Sequence, residues 1–100
     1  MMADVKITVV KKLSNKDLID KLGKGVGPLC ELFKVGDEFI SKDLKMPEGF
    51  CSWAWADIQR DVAVLAFNGD FFWMKEPGVG LSCCTDGFRP VVFKLERVKK

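Results

Sequence analysis

Apolar residues recur at steps of three and four along Cys51, Trp55, Ile58, Val62 and Leu65, the repeat of one helical face. Ser52, Ala56, Gln59 and Ala63 form a milder face, and Asp57, Arg60 and Asp61 are the only charges between Gly49 and Phe67. So few positions suit water that most of this helix is expected to lie under protein. Ser52 is the expected N-cap, and Asn68-Gly69 the stop, with Gly69 in the left-handed conformation.

The other segments follow the alternation of strands or the punctuation of turns. Val5, Ile7 and Val9 alternate with Lys6 and Thr8, which predicts a strand over Asp4 to Val10. Ser14 is placed to cap a short helix carrying Leu18, Ile19 and Leu22, with Leu13 stapled onto Leu18 and Gly23 as the stop. Val35-Gly36-Asp37 predicts a turn and Glu38 to Ser41 a strand. Val79, Leu81 and Cys83 are expected on the inner side of a strand, with Gly80, Ser82 and Cys84 outside. Asp86-Gly87 signals a hairpin turn, and Pro90 to Val98 the returning strand.

This order, β-α-β-α-β-β, predicts a two-layer α+β fold over residues 1–100 as one domain. A mostly antiparallel sheet of about four strands would pack on the central Trp-rich helix. A small, partly open barrel with one helix is the alternative.

Composition narrows the chemistry. With no His and no Tyr, imidazole bases, His metal ligands and phenolic acids are excluded. A net charge of +2, with Lys11, Lys12, Lys16, Arg97, Lys99 and Lys100 only loosely grouped, gives no reason to expect nucleic acid. No apolar run reaches the roughly 18 residues of a membrane span, and no export signal precedes Asp4, so a cytoplasmic protein with reduced thiols is expected. The alternating glycines of Gly23 to Gly27 read as a flexible connection, since no Gly-Lys-Ser/Thr follows.

Four cysteines, at 30, 51, 83 and 84, carry the remaining possibilities. Cys51 stands where the central helix begins and backbone amides attract anions, which makes it the candidate thiol. Cys30, Cys51 and Cys83, from three segments, are the candidate ligands of a soft metal or iron–sulfur cluster, although no Cys-x-x-Cys is present. Buried cysteine packing as a small hydrophobe is the plainer reading. Trp53, Trp55, Asp57, Arg60 and Arg89 complete the candidate ligand site. Trp53 and Trp55 would line an aromatic pocket, and Arg60 or Arg89 would meet an acidic group. An Asp57–Arg60 pair along the helix and an Arg89–Asp57 contact are the structural counterparts of that reading. Phe71, Phe72 and Trp73, followed by Met74, form an apolar run suited to a homodimer surface.

Cys51-Ser52-Trp53-Ala54-Trp55-Ala56-Asp57-Ile58 and Cys83-Cys84-Thr85-Asp86-Gly87-Phe88-Arg89-Pro90-Val91-Val92-Phe93 are specific strings. With Val35-Gly36-Asp37-Glu38-Phe39 and Trp73-Met74-Lys75-Glu76-Pro77-Gly78, they resemble a family of small, uncharacterised bacterial and archaeal proteins of about this length. The likeness runs over nearly the whole chain. It implies a stand-alone cytosolic protein, frequently from anaerobes, and no activity, substrate, cofactor or site residue. The sequence reading is therefore a non-catalytic module that binds a small ligand, a cofactor or another protein. A thiol-dependent enzyme, redox or nucleophilic, and a soft-metal or iron–sulfur protein are the alternatives.

Overall fold

The computed structural model describes residues 2–98, and Lys99 and Lys100 of the basic cluster lie outside them. The elements are β1 (Val5–Lys12), α1 (Lys16–Leu22), β2 (Glu38–Ser41), α2 (Ser52–Ala66), β3 (Val79–Cys83) and β4 (Val91–Arg97). Every strand pairing is antiparallel, in the order β2-β1-β4-β3. The sheet is open, with β2 and β3 at its two edges, so the barrel alternative falls and the two-layer α+β arrangement stands.

The core follows from the pleat. Val5, Ile7 and Val9 of β1 and Val91, Phe93 and Leu95 of β4 are buried on one face of the sheet. Against them α2 sets Ala54, Ile58, Val62, Leu65 and Ala66. This apolar stripe is narrower than the sequence pattern implied. Cys51 and Trp55 are only half-buried, while Trp53 and Phe67 stand largely in water. Of the other helices and strands, α2 packs on β1, β3 and β4 and, among the described residues, on no second helix. The N-cap position is Cys51 rather than Ser52. At the other end Asn68, not Gly69, takes the left-handed conformation, with φ 66°. The Gly69 N–H donates to Val64 O at 2.7 Å, and a Cβ on Gly69 would lie 2.9 Å from that same oxygen.

α1 starts one residue later than expected, with Asn15 at the N-cap in place of Ser14. The Asn15 side chain does not cap the helix. Its Nδ2 donates to Gly87 O at 2.6 Å and its backbone N–H to Phe88 O at 2.9 Å, which docks α1 onto the β3–β4 loop. Of the apolar stripe only Ile19 is buried; Leu13, Leu18 and Leu22 are exposed.

β3 reverses the expected faces. Its register sets Gly80 opposite Leu95 and Ser82 opposite Phe93, whose side chains are in the core. Residues directly opposite share a face, so Gly80, Ser82 and Cys84 look toward α2, and Val79, Leu81 and Cys83 look away. The reason is steric. The Phe71 ring lies over β3, and a Cβ on Gly80 would come 2.8 Å from Phe71 Cε2. An inward side chain at that position has no room.

Candidate functional site

Three segments meet at the N-terminal end of α2. The loop 29–34 is carried there by Phe33, whose ring is buried among Phe39, Phe50 and Phe93 at centroid distances of 5.8, 5.2 and 5.3 Å. Lys12 Nζ donates to Phe33 O at 2.8 Å and fixes the same loop to β1. The loop between β3 and β4 turns on Asp86, whose Oδ1 accepts the N–H groups of Phe88 and Arg89 at 2.9 and 3.2 Å. The connection is therefore an Asx-turned loop, longer than the two-residue hairpin that Asp86-Gly87 suggests.

Between these segments lies a cavity of about 530 Å³. Its walls include Cys30, Leu32 and Phe33 from the first loop, Cys51, Trp53, Ala54 and Asp57 from α2, and Cys84, Thr85 and Arg89 from the hairpin. Asp57 joins helix to hairpin: its Oδ2 accepts the Thr85 N–H at 2.7 Å, and its two oxygens accept Thr85 Oγ1 at 3.0 and 2.9 Å. Cys84 Sγ accepts the Val91 N–H at 3.2 Å, which fixes that thiol at the mouth of β4.

Arg89 differs from these tethered groups. Its Nη1 reaches Leu29 O at a long 3.4 Å, and its buried Nε has no partner among the described residues. A buried donor left unpaired costs about 1–3 kcal/mol, and the residue that carries it is part of the cavity wall.

Of the residues predicted for a site, the fold gathers Cys30, Cys51, Trp53, Asp57 and Arg89 around one cavity. Trp55 lies outside its walls and packs edge-on to Phe50, with centroids 6.4 Å apart. Arg60 is 88% exposed and lies 4.0 Å from Asp61; it does not pair with Asp57, whose oxygens are taken by Thr85. The Arg89–Asp57 contact is likewise not formed. Cys83 is exposed on the outer face of the sheet, and Cys84 takes the inward place assigned to it. All four thiols are free. Among the described residues, no group of three or more His, Cys, Asp or Glu side chains is arranged to hold a metal ion. Cys30, Cys51 and Cys84 share the cavity's walls without forming a coordination set among the described residues, and Cys83 stands apart from them.

Cys84 and Thr85 were missed as site residues, and the signal was in the Cys-Cys-Thr-Asp string. Adjacent cysteines on a strand must face opposite ways, so one of them had to look inward. Which one depends on Phe71 over Gly80, a contact between segments that periodicity does not carry.

No family model matches the chain, and neither curated proteins nor solved structures give a match.

Proposed function

We propose that the protein is a non-catalytic module that binds a small ligand in the cavity at the start of α2. The observation that carries this is the pairing of a cavity of about 530 Å³ with an unpartnered, buried Arg89 Nε in a residue of its wall. Ligand pockets run from about 300 to 1,000 Å³, mostly apolar with a few oriented polar groups. Leu32, Phe33, Trp53 and Ala54 supply the apolar part and Arg89 the free donor. The test is a titration with 8-anilinonaphthalene-1-sulfonate, which joins apolar rings to an anionic acceptor. Saturable binding at one site, weakened at least tenfold in Arg89→Ala and in Trp53→Ala, is expected. Binding that neither substitution changes would overturn the assignment.

Thiol-dependent chemistry is a second reading, favoured by Cys30, Cys51 and Cys84 in one cavity wall. A cytoplasmic location belongs to the same picture, supported by four free thiols. Among the described residues no helix is long and apolar enough to cross a membrane. The reading also includes self-association. Phe72 is 93% exposed and Trp73 64%, in edge-to-face contact with centroids 5.0 Å apart, while Phe71 turns inward over Gly80. The aromatic run thus splits into one half-buried residue packed against the core and two exposed residues that could meet a second copy. Membership of the small-protein family resembled by the Cys51–Ile58 and Cys83–Phe93 strings remains part of this proposal.

A further inference from the structure

β3 is an edge strand whose outer backbone is open. Arg97 N–H donates to Gly78 O at 2.7 Å and Cys84 N–H to Val91 O at 3.0 Å. In an antiparallel ladder bonding positions alternate, so the even-numbered residues 78 to 84 face β4 and Val79, Leu81 and Cys83 face outward. Among the described residues, no hydrogen bond is found to the backbone N–H or C=O of these three from outside the β3–β4 ladder. Native edges are commonly guarded by charge, proline or a bulge. The segment Val79-Gly80-Leu81-Ser82-Cys83 has none of these, and Leu81 is 58% exposed. The opposite edge is guarded: β2 is four residues long, and Glu38 lies 3.5 Å from Lys6.

We propose that a second copy of this chain pairs with β3 through its own β3, antiparallel about a two-fold axis at Leu81, joining two four-stranded sheets into one. This rests on the self-association part of the reading above but moves the seam from the aromatic loop to the strand edge. The edge is self-complementary. Leu81 is the middle of the three outward positions, so the axis pairs Leu81 with itself and Val79 with Cys83 of the other copy. Three such pairs exchange about six hydrogen bonds. Side chains at 79, 81 and 83 share the outer face, so Leu81 meets Leu81 and the apolar Val79 meets Cys83. On the helix side, a groove of about 540 Å³ runs along this edge between Leu81, Ser82 and Cys83 and the α2 residues Ala56, Arg60 and Asp61. The groove leaves the edge accessible. Arg60, largely in water, and Asp61 border this groove, so each copy carries a cation and an anion beside the proposed seam.

The test is sedimentation velocity of the full chain at micromolar concentration, with two variants and one cross-link. The parent is expected to be a dimer. Leu81→Lys, which sets two like charges on the axis, is expected to be monomeric with an unchanged circular dichroism spectrum. Phe72→Ser is expected to stay dimeric. In Val79→Cys the new thiol faces Cys83 of the other copy, and oxidised glutathione should yield a covalent dimer that is lost when Cys83→Ser is added. Dimers lost in Phe72→Ser but kept in Leu81→Lys, without the cross-link, would overturn the strand seam and leave the aromatic loop as the interface. If both variants are monomeric, the cross-link decides. A monomeric parent that forms no cross-link in Val79→Cys would overturn both.

Discussion

Gly80 shows how one residue sets the chemistry of its neighbours. Because the Phe71 ring fills the space a Cβ would need, β3 turns its small residues inward, and with them Cys84. Gly80→Ala is expected to lower stability by about 1–3 kcal/mol, the usual cost of overpacking. Phe71→Leu in the same chain should recover part of it. Denaturant unfolding checks both, and additive losses in the double variant would show that the ring is not the obstacle. The same reversal leaves Cys83 in water and the other three thiols half-buried around the cavity. Native labelling with iodoacetamide should therefore modify Cys83 first. A saturating cavity probe should slow Cys30, Cys51 and Cys84 and leave Cys83 unchanged. Mass spectrometry resolves the four sites, and equal slowing at all of them would place the probe elsewhere.

At the scale of elements, α2 is the best-read part of the chain. Ile58, Val62 and Leu65 were identified from periodicity alone and are fully buried against the sheet. Val62→Asp leaves an unpaired charge there and should cost about 3–5 kcal/mol, whereas Gln59→Ala on the exposed side should stay within about 0.5 kcal/mol. Thermal unfolding distinguishes them, and a parent-like midpoint for Val62→Asp would reject the assigned face. Strand positions and their mostly antiparallel pairing were also legible, because alternation in β1 and β4 reports a sheet with one buried face, but the strand order β2-β1-β4-β3 was not. Caps were less so. Ser14 and Ser52 have the right chemistry, yet Asn15 and Cys51 hold the positions, since the chain's path into each helix is set by tertiary docking such as Asn15 onto Gly87. The site was legible as a set of residue types near Cys51. It was not legible as a cavity, because Thr85 reaches Asp57 across 28 residues and no local pattern encodes that partner.

At the scale of the whole molecule, the sheet and helix layers are tied at the end opposite the cavity by Arg97. From β4 its Nη1 donates to Leu65 O and Gly69 O at 3.2 and 2.7 Å, taking up carbonyls at the end of α2. Its Nη2 lies 2.8 Å from Asp70 Oδ1, the same oxygen that accepts the Gly78 N–H at 2.7 Å. The loop from Asp70 to Gly78, which carries Phe72 and Trp73, is thus closed on a single carboxylate. The hydrogen bond from Arg97, then that from Gly78, holds the Asp70 carboxyl below its ordinary value, against a smaller opposing effect of burial. A carboxylate depressed in the folded state contributes stability that is fully present above the unfolded pKa, about 3.9 for Asp. That contribution declines as the pH falls below that value and is gone once the pH passes below the folded one. Asp70→Asn keeps an acceptor oxygen but removes the charge and its titration. The parent should therefore unfold at a higher temperature than Asp70→Asn at pH 7. The gap should narrow as the pH falls below about 4 and vanish in stronger acid. Every other carboxylate is common to both chains and cancels in the difference. Paired unfolding curves from pH 7 to pH 2 supply the measurement. A gap that does not change with pH would mean that the Asp70 charge does not hold the loop to the fold.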